Sequence, residues 1–334
     1  MNTYNVIIMG CGIMGRRMAE ALIPKKSFKI VGALDTDPEL VGRDLGDLFD
    51  PPQNTGIKIE SDASALFSRV EAEAAILTTQ SHLKTVQPQI NQIVEAGLNV
   101  ISTCEELSFP WKRSPELARQ IDALATEYGV TVVGTGINPG YLMDSLAIFL
   151  TAPCLSVDSI RITRMMNSAK RRIPFQAKVG TTMTPEEFRK KIDDGTITGH
   201  VGLLESINMI ATGLGWELDE TVELPPEAVI AEKDTPSGMG TVTAGNVIGL
   251  KSLAYATKQG EEVISLEFIA NAGVTEEYDE IFIDGQPKIH ERIIGGVHGD
   301  VGTVAVTINT VPNTIKASPG LKLMNELPAP AATP

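Results

Sequence analysis

The sequence predicts an α/β chain of two domains: an N-terminal, doubly wound parallel sheet, then an α+β domain built on a mixed or antiparallel sheet. Three observations predict it. A Gly10-x-Gly12-x-x-Gly15 motif sits between an apolar run and a helix-like run at the very start. Apolar runs alternate with helical segments over the first 136 residues or so. After about residue 150 the apolar runs lengthen and are joined by short polar turns such as "DGQP". Strand–helix alternation favours a parallel sheet covered on both faces, whereas turn-linked strands favour antiparallel pairing.

In order, residues 4–9 read as a buried strand, 13–22 as a helix and 28–34, "FKIVGAL", as a second strand ending at Asp35. A short strand is expected at 56–61, and a helix at 61–70 opened by Ser61 and Asp62. Residues 72–79 are a strand ending in hydroxyls, 82–97 a helix interrupted by Pro88, and 98–103 a strand. Residues 114–129 carry Ser at the cap, Pro in the first turn and Gly at the end of a helix, and 130–136 are the next strand. Beyond it, strands are expected at 155–167, 242–257, 262–272, 278–285 and 287–295, and helices at 184–195 and 200–215. A helix from 302 is stopped by Pro-Gly at 319–320, and the tail "LPAPAATP" is expected to be mobile.

The 334 residues carry a net charge of −14, which disfavours nucleic acid and anionic membranes as partners. No apolar stretch is long enough to span a bilayer, and the first strand starts too early for a signal peptide. Cys11, Cys104 and Cys154 are widely spaced and form no metal or disulfide pattern. A cytoplasmic location, no metal and a small-molecule substrate follow as expectations.

The glycine loop is a dinucleotide cradle in this context. Gly10 permits the tight turn, Gly12 lets the backbone approach a pyrophosphate, and Gly15 lets helix and strand pack closely. Cys11, Ile13 and Met14 complete the loop and offer backbone N–H groups at the helix start. Asp35 can accept hydrogen bonds from adenosine ribose hydroxyls and repels a 2′-phosphate, so NAD is expected. NADP stays open because Arg43 could reach such a phosphate.

Ligands bind beyond the carboxyl ends of such strands. After the fourth strand stand Thr78, Thr79 and Ser81; after the fifth, Thr103, Glu105 and Glu106; after the sixth, Asn138, Pro139, Gly140, Tyr141 and Met143. "GINPGY" is expected to open a helix whose N–H groups face the cleft, as a cofactor or substrate contact or a hinge. The Glu105–Glu106 pair is the most suggestive chemistry: a carboxylate at a dry cofactor edge can hold an ammonium ion or take its proton. Glu105, nearer the strand end, is preferred, and an acidic cap is the bland alternative. His200 and His298, in glycine-bearing contexts, and Thr303 are candidate substrate contacts, and Asp300 and Glu205 could face a second amine.

Together "TTQSHL", "VISTCEELSFPW", "GTGINPGYLMD", "GHVGLLESINMIATGLGW" and "GGVHGDVGTVAVTINTVPNTIKASPGL" resemble the 2,4-diaminopentanoate dehydrogenase family, which includes the native amine dehydrogenases and is related to dihydrodipicolinate reductase. The resemblance implies a Rossmann domain over 1–137, completed by a C-terminal segment at about 302–334, and a substrate-binding and dimerising domain over 138–301. It implies reversible oxidative deamination of a small amine or diamine, NAD(P) as cofactor, a homodimer, and a glutamate of the Glu105–Glu106 pair that binds ammonia and activates the amine. Two alternatives stand beside it. "EKDTPSGMGT" at 232–241 echoes a lysine-bearing element of dihydrodipicolinate reductases, which would make the chain an imine reductase. Here no histidine pair precedes that element and a strand-like run follows it, so Lys233 reads as a loop residue. A non-enzymatic NAD(H) sensor would need the glycine loop but not the glutamate pair.

Overall fold

The computed structural model describes residues 3–334. The chain divides into two compact units. One takes it up to Tyr141 and again from Gly299 to Pro334; the other is Leu142–His298.

In the first unit, strands β1 (Tyr4–Met9), β2 (Phe28–Leu34), β3 (Ile59–Glu60), β4 (Ala74–Leu77), β5 (Asn99–Ser102) and β6 (Thr131–Gly134) alternate with helices α1 (Ile13–Leu22), α2 (Ala63–Arg69), α3 (Leu83–Glu95), α4 (Pro110–Arg113) and α5 (Pro115–Glu127). The second unit holds α6 (Ser145–Leu150), α7 (Ile173–Lys178), α8 (Pro185–Asp193) and α9 (Leu203–Gly213). Its strands are β7 (Ser156–Asn167), β8 (Glu220–Glu223), β9 (Glu227–Ile230), β10 (Thr235–Ser237), β11 (Gly240–Val242), β12 (Val247–Lys258), β13 (Glu261–Asn271), β14 (Tyr278–Gln286) and β15 (Ile289–Ile294). The chain then returns to the first unit as α10 (Gly299–Lys316) and β16 (Gly320–Lys322).

The first sheet is parallel throughout, in the order β16-β6-β5-β4-β1-β2-β3. Strand order reverses between β1 and β4, the switch point where such sheets bind ligands. All four residues of β4 and of β6 are buried, the pattern of strands covered on both faces. Leu83, Val86, Ile90 and Ile93 of α3, with Ala118, Ile121 and Ala125 of α5, pack on one face of it.

The second sheet is mixed, in the order β15-β14-β7-β13-β12-β8, with β9 also on β12; β7 and β13 run parallel and the other pairs antiparallel. Alternate residues of β7 are buried from Ile160 to Met166, so one face carries the core. Ile160, Ile162, Ile264 and Leu266 pack with Leu203, Ile207 and Ile210 of α9, while Met166, Phe268 and Ala270 pack with Phe188 of α8. A capping box opens α8: the Thr184 hydroxyl takes the Glu187 N–H, and the Glu187 carboxylate takes the Thr184 N–H.

Three sequence expectations are corrected. "GINPGY" does not open a helix; residues 138–144 are turns, and α6 starts only at Ser145, where the Asp144 carboxylate accepts the Ser145 N–H. The strand foreseen at 56–61 is just Ile59–Glu60. The C-terminal tail is pinned rather than loose: the Thr333 N–H donates to Asn309 Oδ1 at 3.0 Å, its carbonyl takes Lys25 Nζ, and Asn313 donates to the Pro328 carbonyl at 2.8 Å.

Candidate functional site

The glycine loop leaves β1 and enters α1. A Cβ on Gly15 would lie 1.7 Å from the Gly10 carbonyl oxygen, so that contact requires glycine. Gly10 has φ +94°, and a Cβ there would strike Thr79 Cγ2 at 2.8 Å. At Gly12 a Cβ would meet no protein atom within 4 Å. The space beside it is open, and no side chain caps the α1 N-terminus that begins there. Thr78 closes the loop from the next strand, its hydroxyl donating to the Gly10 carbonyl at 2.8 Å.

Asp35 sits at the end of β2. Its carboxylate takes the Cys11 N–H at 2.6 Å and the Asp37 N–H at 2.9 Å, tying the acid to the loop. Cys11 is buried, and its thiol is pushed up to about 12 by that burial and by the Asp35 charge. It is a packing residue and not a nucleophile. Beside the loop lies a cavity of about 440 Å³ that includes Gly10, Asp35, Thr36 and Thr79 in its wall. No residue lining it is cationic. The open Gly12, the uncapped helix and the acid-edged cavity fit a dinucleotide. Ser61, Asp62, Gln89 and Gln92 also line this cavity. Ser61 and Asp62 follow the short third strand, the one strand end that sequence reasoning did not inspect, and Gln89 and Gln92 lie within α3, where no motif marks them.

The loop after β5 treats its two glutamates differently. Glu106 accepts the Leu83 N–H at 2.7 Å, lies 3.0 Å from His82 Nδ1 and 3.7 Å from Arg113. Burial opposes its charge, but the His82 and Leu83 hydrogen bonds and the Arg113 charge outweigh burial and hold the carboxyl below its usual range. Glu106 therefore caps the start of α3. Glu105, half-buried, shows no side-chain hydrogen bond or ion pair among the described residues. The backbone around it is fixed. Ser108 Oγ donates to the Glu105 carbonyl at 2.6 Å, Cys104 Sγ to the Ser81 carbonyl at 3.1 Å, and the Glu106 N–H to the same Ser81 carbonyl at 3.3 Å. Gly134 of β6 makes room for this loop, since a Cβ there would lie 2.4 Å from the Leu107 carbonyl carbon. Thr103 extends β5 by donating its N–H to the Leu77 carbonyl at 3.0 Å.

After β6 the chain folds back on itself. Gly140 has φ +122°, and a Cβ there would lie 2.6 Å from the Gly136 nitrogen. Asn138, Pro139 and Tyr141 belong to this turn, and Thr303 of α10 accepts the Ile137 N–H at 3.3 Å. Asp300, at the start of α10, pairs with Arg17 at 2.8 Å.

The other predicted residues lie in the second unit. Met143 is fully buried with Leu203 and Ile207, a core position. Across the covered face of the sheet, Asp279, Arg164, Phe268 and Ser252 stand directly opposite one another on β14, β7, β13 and β12. His200 stacks on Phe268 with ring centroids 4.5 Å apart, and its backbone N–H donates to Ser252 Oγ at 3.2 Å. Burial, with the Arg164 and Lys178 charges, lowers the His200 pKa to about 3, so the ring is neutral at pH 7. Arg164 is 2% exposed and Asp279 5%. Their charges meet at 3.3 Å, and both hold Val297: Asp279 accepts its N–H at 2.7 Å, and Arg164 donates to its carbonyl at 2.6 Å. Sequence reasoning missed this pair. Burial pushes the Asp279 carboxyl up and the Arg164 guanidinium down, each against the pull of the other. A cavity of about 130 Å³ opens beside the pair, with His298, Lys170 and Glu277 in its wall. Lys233, exposed in a bend, is a loop residue. Among the described residues no group of three or more His, Cys, Asp or Glu could hold a metal ion, and no helix is long and apolar enough to cross a membrane.

A histidine whose pKa is lowered binds its proton more readily in the unfolded chain. Stability is therefore full above about 6.5, the ordinary histidine value, and declines as pH falls from there toward 3. Replacing His200 with Phe should flatten that decline between pH 6.5 and 4, read as denaturation midpoints at successive pH values.

Residues 4–105 match the family model of the dihydrodipicolinate reductase N-terminus, and residues 141–334 match that of the 2,4-diaminopentanoate dehydrogenase C-terminal domain. A 2,4-diaminopentanoate dehydrogenase from Acetoanaerobium sticklandii is 37% identical, over 99% of this chain and 95% of that one. An amine dehydrogenase from Streptomyces virginiae is 21% identical, over 95% of this chain and 94% of the relative. The solved structure of an amine dehydrogenase from Mycobacterium smegmatis superposes with a TM-score of 0.83 at 24% identity, covering 98% of this chain and 97% of that one, and shares the fold. With a family model over more than half its length and a full-length relative at 37% identity, the chain belongs to the 2,4-diaminopentanoate dehydrogenase family.

Proposed function

We propose that the chain is a nicotinamide-dependent amine dehydrogenase. It converts a small amine or diamine of the 2,4-diaminopentanoate type, water and the oxidised cofactor to a ketone, ammonia, the reduced cofactor and a proton. The single observation that carries the reading is the division of labour in the loop after β5: Glu106 caps α3, and Glu105 keeps a carboxylate with no partner of its own among the described residues. The names of the full-length relatives support the same chemistry.

Gly10, Gly12, Gly15, Asp35, Thr78 and Thr79 would hold the dinucleotide, with Asn138 and Pro139 near its reactive end. The bound cofactor supplies the hydride acceptor. Amines are protonated at neutral pH, and only the neutral amine has the lone pair that assists loss of hydride from its carbon. Glu105 binds the ammonium form and accepts its proton at a carboxylate oxygen. In the reverse direction it holds ammonia against the ketone carbon, so its work is largely positioning. Asp35, Asp37 and the absence of a cation around the cavity favour NAD over NADP. The homodimer implied by the resemblance and the cytoplasmic location expected from the sequence belong to the same proposal.

The test follows NADH consumption with a panel of small ketones, with and without excess ammonium. The expected result is consumption that requires ammonium. Consumption indifferent to ammonium would make the chain a carbonyl or imine reductase. Tight NADH binding with no turnover of any amine or ketone would favour the sensor.

A further inference from the structure

We propose that Asp62, Gln89 and Gln92 form a base-reading subsite that selects adenine in the dinucleotide. The inference rests on the dinucleotide reading above and adds to it what the far end of the cradle recognises.

The cavity of about 440 Å³ has an apolar floor, Met9, Leu34 and Ala63, each no more than 8% exposed. A planar ring can lie on it. The polar groups at its edge are already oriented by the protein. Asp62 Oδ1 accepts the Ala65 N–H at 3.0 Å, which leaves Oδ2 as an acceptor. The Thr79 hydroxyl donates to Gln89 Oε1 at 2.5 Å, which leaves the Gln89 NH2 as a donor. Gln92 Nε2 donates to Ser64 Oγ at 3.4 Å, which leaves Gln92 Oε1 as a second acceptor. The edge thus offers a charged acceptor, a neutral acceptor and one donor.

Adenine is complementary to that set. Its N6 amino group donates, and N7 accepts beside it. Two acceptors can take the amino hydrogens while the Gln89 NH2 serves a ring nitrogen. Hypoxanthine carries an oxygen in place of the amino group. That oxygen would face Asp62 and Gln92 acceptor to acceptor, and a site built for a donor rejects a group that cannot donate. The third strand ends just before Asp62, which brings this carboxylate to the binding edge of the sheet.

The experiment is a calorimetric titration of the purified protein with NADH and with reduced nicotinamide hypoxanthine dinucleotide, repeated for D62N. Asparagine caps a helix as well as aspartate does, so D62N should keep its thermal midpoint. It also gives the hypoxanthine oxygen a donor. The wild-type protein should bind NADH about tenfold more tightly than the analogue, the worth of one hydrogen bond to a charged group. In D62N the preference should vanish or invert. Equal affinities in the wild-type protein, or an unchanged preference in D62N, would overturn the subsite while leaving the dinucleotide reading intact. If neither dinucleotide binds the wild-type protein, the dinucleotide reading itself fails and the subsite with it.

Discussion

Glu105→Ala should lower turnover in reductive amination by about a thousandfold, within the range that a positioned proton-transfer group contributes. It should also raise the ammonium concentration needed for half-saturation, because in the proposed reaction the same carboxylate holds the nitrogen. Its fold should be little changed, since the side chain supports no other group among the described residues. Glu106→Gln should behave in the opposite way. The amide weakens the cap on α3 and the pairing with His82 and Arg113, so stability falls by about 1 kcal/mol, while turnover falls far less. The sign of the pH effect separates the two further. A carboxyl held below its usual range contributes stability that is present above the unfolded value and is lost as pH falls through the folded one. Glu106→Gln should therefore remove part of the acid-side loss of stability below about pH 4.5, the ordinary glutamate value. The checks are steady-state kinetics in ammonium and denaturation midpoints against pH for both variants. Equal kinetic damage from the two substitutions would sink the assignment of Glu105.

Why one glutamate and not the other was only half legible in sequence. Two adjacent acids after a parallel strand sit at the binding edge whatever their roles, so the pair stood out. Which one turns toward α3 depends on where the α3 N-terminus lies, and that comes from packing between distant segments. The same limit recurs elsewhere. Strands of the first sheet were legible because β4 and β6 are buried on both faces and read as unbroken apolar runs. The long strands of the second sheet were legible from alternation. Short strands such as β8 and β9 carry half-exposed, acid-rich sequences and owe their form to pairing with β12, so no local pattern marks them. At "GINPGY" the helix signal misled: Gly140 holds a left-handed turn, and the true cap is Asp144. In the cradle, the glycine spacing together with the strand and helix on either side marked the loop, and the end of the second strand marked Asp35. Asp62 reads in sequence as a helix cap, a role it does fill, and nothing local marks it as lining the cavity as well.

The second large effect concerns stability. Asp279→Ala should cost about 3–5 kcal/mol, because it leaves the Arg164 guanidinium buried without its countercharge. Replacing both partners, Arg164→Met with Asp279→Leu, should recover most of that loss, since buried ion pairs are weak net stabilisers once the cost of desolvation is counted. Recovery would still be incomplete in one place. Val297 gives its N–H to Asp279 and its carbonyl to Arg164, so the apolar pair leaves both groups of that residue without their partners. The segment from Gly295 to His298 would then open locally even in a protein whose global stability is restored. Denaturant midpoints measure the first effect, and amide hydrogen exchange at Val297 measures the second. A stable double variant with fast exchange confined to this segment would mean that the ion pair acts as a clamp on the His298 loop. A double variant as unstable as Asp279→Ala would mean instead that the pair is itself a net source of stability, against the general behaviour of buried charges. Because His298 follows Val297 directly and shares a cavity wall with Arg164, the clamp reading predicts that activity falls in the double variant even where stability does not.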